Sequence, residues 1–248
     1  MKITTLPLIT IVLMILSCQD KMETNAQQII DKSIEVSGGD LVISSNISFD
    51  FRDKHYVAER SRDGFLYQRK SIVHTDSITD VYTNKGFERF INKKPIAVVD
   101  SMKIKYSNSI NSVHYFSVLP YGLNDGAVNK KYINKAKVKD AWYHTIEITF
   151  KQDGGGEDFE DVFIYWINCN TYKVDYLAYS YNEQDGKGLR FREAYNERYI
   201  NGIRFVDYNN FKPIDANADL IKLDRLFENK GLKLLSKIEL NNIKASIN

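Results

Sequence analysis

Period-two alternation of apolar and polar side chains, broken repeatedly by turn residues, is what most constrains the fold of this chain. Ile47, Phe49 and Phe51 point one way, and Ser48, Asp50 and Arg52 the other. Tyr56 and Ala58 alternate with Val57 and Glu59, and Phe65 and Tyr67 with Leu66 and Gln68. Successive strand side chains face opposite sides, so such runs bury one face as antiparallel strands. Arg62-Asp63-Gly64, Lys85-Gly86 and Asn92-Lys93 supply hairpin-length turns between them. The 16 Tyr and 13 Phe residues add strand preference along the whole length.

The pattern predicts further strands at Asp80–Tyr82, Phe87–Asn92 and Ala97–Val99. It resumes at Tyr132–Val138, Trp142–Lys151, Asp161–Cys169, Lys173–Tyr181, Gly188–Tyr195, Ile203–Phe211 and Leu232–Leu240. Two segments break it. Ala26–Val36 carries an apolar stripe of Ile29, Ile30, Ile34 and Val36, with Asn25 as N-cap and Gly38-Gly39 as terminator. Tyr106–Leu119 has helical spacing and is closed by Pro120. Asp219–Asn229 reads as a short third helix. No strand–helix alternation of the parallel type occurs. The fold class is therefore mainly β: a strongly curved antiparallel sheet, or open β-barrel, with an N-terminal helix and a mid-chain helix.

The N-terminus sets the expected location. Lys2 precedes an apolar run from Leu6 to Leu16 that stops at Ser17-Cys18. This reads as a secretory signal over residues 1–17, too short for a stable membrane span. The position of Cys18 resembles a bacterial lipobox, which implies a lipidated Cys18 at the mature N-terminus. Residues 18–25 form a polar tether, and 26–248 a single domain. Cleavage takes Lys2 away and lowers the formal charge from +2 to +1. A chain so near neutrality lacks the basic face that nucleic-acid binding requires. Of the two cysteines, Cys169 is left without a partner, and its apolar surroundings predict a buried, inert thiol.

Candidate chemistry is sparse. His55, His74, His114 and His144 include no pair with helical metal-site spacing, and Glu147 falls on the opposite strand face from His144. A composite site from His114, His144 and an acid is the one catalytic arrangement these residues leave open. Asp153, Glu157, Asp158, Glu160 and Asp161 surround Gly154-Gly155-Gly156. They read either as a calcium loop or as a solvated hairpin tip, and the spacing is not that of an EF-hand. Arg190, Arg192, Arg198 and Arg204 lie on neighbouring strands. Facing inward, Arg190 and Arg192 would hold a carboxylate or phosphate at a cavity rim; facing outward, they are solvated charges. No nucleophile elbow, dinucleotide fingerprint or P-loop is present. No catalytic residue, metal or cofactor is assigned.

Several phrases occur together: Ile29-Ile30-Asp31-Lys32 with Gly38-Gly39, Val113-His114-Tyr115-Phe116, Leu119-Pro120-Tyr121-Gly122-Leu123-Asn124-Asp125, Asp175-Tyr176-Leu177-Ala178-Tyr179, Arg190-Phe191-Arg192 and Gly202-Ile203-Arg204-Phe205. In this the chain resembles an uncharacterised envelope-lipoprotein family of Bacteroidota, a domain of unknown function. That family is distantly similar to the Lol-type lipoprotein carriers, LolA and LolB. The resemblance implies an unclosed barrel covered by helices, with an apolar cavity for acyl chains. The residues expected to line it are His114, Tyr115, Tyr121, Trp142, His144, Trp166, Tyr179, Tyr181, Arg190 and Arg192. The function this implies is non-catalytic binding of a lipid or other apolar ligand by a lipoprotein of the cell envelope, anchored at the outer membrane through Cys18. An interaction scaffold with a filled core and a His-dependent hydrolase are the alternatives.

Overall fold

The computed structural model describes residues 25–154, 159–183 and 186–248. The signal segment, Cys18 and nearly all of the tether lie outside the described residues, as do Glu157 and Asp158 of the acidic turn. Two seven-stranded antiparallel sheets make up the body. The first is a meander of β1 (Ser45–Phe51), β2 (Lys54–Ser61), β3 (Gly64–Val73), β4 (Asp76–Thr83), β5 (Gly86–Ile91) and β6 (Lys94–Ile96). The second runs through β7 (Val128–Val138), β8 (Ala141–Phe150), β9 (Val162–Asn168), β10 (Val174–Glu183), β11 (Gly186–Ile200), β12 (Ile203–Pro213) and β13 (Leu232–Ile238). The final strand, β14 (Asn241–Ile247), returns to pair with β1. Among the described residues no strand pairing joins β6 to β7 or β13 to β14, so the shell is curved but unclosed.

Among the described residues four α-helices complete it: α1 (Ala26–Val36), α2 (Gly39–Val42), α3 (Asp100–Ser117) and α4 (Leu223–Glu228). At the start of α1 the Asn25 side chain accepts the Gln27 N–H at 2.8 Å, satisfying one of the orphan donors of the first turn. Ile29, Ile30 and Ile34 are buried against the inner face of the second sheet, on Ile146, Ile148, Phe163, Tyr165 and Leu177. The outer face of that sheet is also covered. Tyr143, Ile164, Trp166, Tyr176 and Phe191 pack there with Leu223, and Leu226 and Phe227 of α4 lie against them. Burial on both faces explains the unbroken apolar run Phe163-Ile164-Tyr165-Trp166-Ile167 in β9, where alternation would have left one side wet.

Three boundaries differ from the sequence expectation. The mid-chain helix begins at Asp100, not Tyr106, and residues 97–99 are not a strand. Its buried stripe is Ser107, Ile110, His114 and Ser117, of which only Ile110 is apolar, so it gives little hydrophobic signal. Leu232–Leu240 ends at Ile238, and β14 follows as a strand the pattern did not predict. Its sequence, Asn-Asn-Ile-Lys-Ala-Ser-Ile, is that of a polar edge strand. Cys169 falls just past β9 and is half-buried, and burial raises its thiol pKa.

The passage from β13 to β14 is the seam between the sheets. Asp207 on β12 accepts the Leu240 N–H at 3.0 Å and an Arg198 N–H at 2.8 Å. The same Arg198 nitrogen donates to the Leu240 carbonyl at 2.7 Å, and Asn196 donates to the second Asp207 oxygen at 2.7 Å. This buried carboxylate, with both oxygens accepting hydrogen bonds, fixes the corner where the chain changes sheets.

Candidate functional site

The two concave faces and the C-terminal half of α3 enclose a cavity of about 900 Å³. The first sheet contributes Phe51, Arg60, Phe65, Tyr67 and Tyr82; the second contributes Phe150, Phe163, Tyr179, Arg192, Val206 and Tyr208. Helix α3 projects Val113, Tyr115 and Phe116 into it, and Tyr121 and Asp125 follow just after. Exposed Ser61, Arg62, Asn111 and Ser112 also border it, so the space opens to solvent between the β2–β3 turn and α3. Among the described residues no side chain fills this space, contrary to what the scaffold alternative requires.

Much of the wall is aromatic. Phe163 stacks on Tyr179 with centroids 5.2 Å apart, and Phe116 touches both rings. The Tyr115 and Tyr165 hydroxyls meet at 3.4 Å. Burial pushes the Tyr115 pKa up to about 12, and burial likewise raises Tyr165 and Tyr208, so all three stay neutral phenols. Asp125, at the same end, has its pKa raised by burial, which the nearby Lys130 partly opposes.

Four arginines in the fold are buried: Arg60, Arg69, Arg192 and Arg204. Two are paired with carboxylates. Arg69 donates to Asp80 at 2.7 Å, and Arg89 donates to the same carboxylate at 2.6 Å. Arg204 donates to Glu197 at 2.6 Å and to the Val174 carbonyl at 3.1 Å. Arg60 and Arg192 have no carboxylate partner among the described residues, and these are the two that line the cavity. Arg60 lies over the Tyr67 ring at 4.9 Å, with Nε and Nη1 unpartnered. Arg192 lies over Phe116 at 3.9 Å and donates from Nη2 to the Tyr179 hydroxyl at 2.8 Å, with Nε unpartnered.

Of the ten residues expected at a cavity, Tyr115, Tyr121, Tyr179 and Arg192 border this one. Tyr181 and Arg190 stack on each other at 4.9 Å, further along the same face of β10 and β11, and are not part of its wall. Trp166 does not face it at all. Its period-two position turns it to the outer face of the second sheet, where it is fully buried beside Phe191. Trp142, at the start of β8, is 56% exposed.

His114 lies behind the wall, fully buried among the rings of Phe49, Tyr56 and Tyr67. Burial first, and then the Arg60 guanidinium, lower its pKa to about 3, with a backbone contact to Gln68 working weakly the other way. His144 borders a separate recess with Tyr132, Lys135 and Tyr172, and burial followed by the charge of Lys135 lowers its pKa. The two histidines therefore belong to different parts of the fold, and the composite His114–His144 arrangement does not form. Among the described residues no group of three or more His, Cys, Asp or Glu is placed to hold a metal ion.

Sequence reasoning missed Arg60, Phe65, Tyr67, Phe116 and Tyr208 as wall residues. For Arg60 the signal was present: it continues the inward parity of Tyr56 and Ala58, and a charge at that position is anomalous.

The chain is similar to a LolA superfamily protein from Nitrosomonas europaea, at 12% identity and a TM-score of 0.48, covering 88% of this chain and 92% of that one. It is also similar to a DUF1329 family protein from Desulfovibrio piger, at 10% identity and a TM-score of 0.42, with the same coverage. No curated protein sequence matches it. The model of a family of unknown function, DUF6503, matches residues 4–240, and the chain belongs to that family.

Proposed function

We propose that the protein is a non-catalytic binder of an apolar or amphiphilic ligand, an acyl chain or a molecule carrying one, held between its two sheets. One observation carries this reading: a cavity of about 900 Å³ walled by aromatic side chains from both sheets and α3. That volume falls within the roughly 300–1,000 Å³ of small-molecule sites. Each methylene buried there contributes about 0.8 kcal/mol, so a chain binds without a sharp polar motif. The same proposal places the protein in the cell envelope, tethered at the outer membrane by lipid on Cys18, with the polar tether as spacer. A single acyl chain anchors only reversibly, so stable tethering requires more than one.

The test is organic extraction of natively purified protein followed by mass spectrometry. A stoichiometric acyl compound is the expected result. A clean extract, together with no uptake of a fluorescent fatty acid, overturns the binding reading. Intact-mass analysis of membrane-fraction protein tests the anchor separately: a diacylglyceryl-sized addition at Cys18 is expected, and its absence removes the tether.

A further inference from the structure

We infer that the ligand of this cavity is anionic, and that Arg192 and Arg60 hold its carboxylate or phosphate headgroup. The inference rests on the proposed binding function and names the chemistry at the polar end of the ligand. It starts from a contrast inside the fold. Arg69 and Arg204 are buried and carry carboxylate partners at 2.7 and 2.6 Å. Arg60 and Arg192 are buried to the same degree, 5% and 8% exposed, and carry none among the described residues. A buried cation without a counter-charge is costly, and proteins remove such costs by pairing. The fold does so for Arg69 and Arg204 and leaves the two arginines that face the cavity unpaired.

Their setting suits an anion that arrives from outside. Each guanidinium rests on an aromatic face, Arg192 on Phe116 and Arg60 on Tyr67. Stacking fixes the plane of the group and leaves its edge for in-plane donation to an oxyanion. The Tyr179 hydroxyl holds one corner of Arg192 at 2.8 Å, which further limits its rotation. Nε and Nη1 of Arg60 and Nε of Arg192 are fully buried with no hydrogen-bond partner among the described residues, so each guanidinium is short of acceptors within the fold. Among the described residues the acids that border the cavity are Asp125 and Asp161. Neither forms an ion pair with Arg60 or Arg192, and exposed Arg62 at the mouth adds a third positive group. A bidentate guanidinium–oxyanion contact is the strong form of the hydrogen bond, and aromatic walls are the complement of the attached chain.

The experiment compares two probes that differ only in headgroup charge. The purified protein is titrated with a long-chain fatty acid and with its methyl ester, by displacement of a fluorescent acyl probe. The acid is expected to bind at least about tenfold more tightly than the ester. In Arg192→Met and in Arg60→Met that ratio is expected to fall toward one, while exposed Lys212→Met leaves it unchanged. Inorganic phosphate at the same concentration is expected not to displace the probe; displacement would assign the arginines to a free oxyanion and overturn the headgroup. Equal binding of acid and ester by the unmodified protein overturns the anionic inference and leaves the apolar binding reading standing. Binding of neither overturns both. The decisive ratio is measured on the unmodified protein, so a variant that fails to fold does not remove the test.

Discussion

Arg192 lies with its guanidinium carbon 3.9 Å from the centroid of the Phe116 ring, bringing together a strand of the second sheet and the helix that spans the two sheets. The contact supports a cation that no carboxylate among the described residues neutralises. Removing that charge while keeping a similar shape is therefore expected to cost little. Arg192→Met loses a charge-assisted hydrogen bond of about 1.5–3 kcal/mol and a cation–π contact of about 1 kcal/mol, and sheds a buried unpaired charge. Its unfolding free energy should be unchanged or raised by up to about 2 kcal/mol. Asp80→Asn does the reverse, leaving Arg69 buried without a counter-charge, and should lose about 3–5 kcal/mol. Urea denaturation of both variants checks the pair. A large loss in Arg192→Met would mean that the arginine is there for the fold.

His114 makes stability depend on pH. Its folded pKa is about 3, lowered chiefly by burial, whereas the unfolded residue titrates near 6.5. Between those values the unfolded chain binds the proton and the folded chain does not. Stability therefore falls as pH drops below about 6.5, at up to roughly 1.4 kcal/mol per pH unit, and this contribution levels off below about 3. Above pH 6.5 the residue is neutral in both states and adds no slope. His114→Phe, a ring of similar size among Phe49, Tyr56 and Tyr67, is expected to remove about 2 kcal/mol of the loss between pH 7.5 and 5.0. Denaturation midpoints at the two pH values decide it; equal slopes in both proteins would assign the acid sensitivity elsewhere.

Gly38 follows α1 with φ at +71°, and a Cβ built there would lie 2.0 Å from the Gly202 carbonyl oxygen in the β11–β12 turn. Two costs would meet in Gly38→Ala: a left-handed backbone and a clash with main chain. Gly86, with φ at +114° and nothing within 4 Å of a built Cβ, carries the backbone cost alone. Both alanine variants should lose more than about 1 kcal/mol, and Gly38→Ala substantially more than Gly86→Ala. Thermal unfolding of the pair measures the difference. Equal losses would show that the α1 corner moves away from β12 at little cost.

How much of this was legible in the sequence follows from which residues report their own environment. Alternation placed β1 to β5 because Phe49, Tyr56 and Tyr67 bury one face only, and Gly38-Gly39 marked the end of α1 through a conformation that glycine favours. The β9 run was legible as a strand, but which way Trp166 faces depends on α4 covering the outer side, a fact of tertiary packing. The start of α3 was hidden because its buried stripe includes Ser107, His114 and Ser117. The ion-paired roles of Arg198 and Arg204 and the unpaired state of Arg192 cannot be told apart from spacing. They depend on whether Asp207, Glu197 or open cavity lies opposite, and that is fixed only when the sheets assemble.

Val113 gives the most direct control of the cavity itself. It projects from α3 into the space and is only half-buried, so a larger side chain there would grow into the void, with little existing packing to displace. Val113→Trp should fill part of the volume at an overpacking cost of no more than about 1–3 kcal/mol. Uptake of a fluorescent fatty acid is expected to fall at least about tenfold, because the lost volume is that of the methylenes whose burial drives binding. The measurement needs a folded variant, which circular dichroism and an unfolding midpoint establish on the same sample. A folded Val113→Trp protein that takes up the probe as the parent does would place the ligand outside the space between the sheets. The aromatic wall would then be core packing around an empty void.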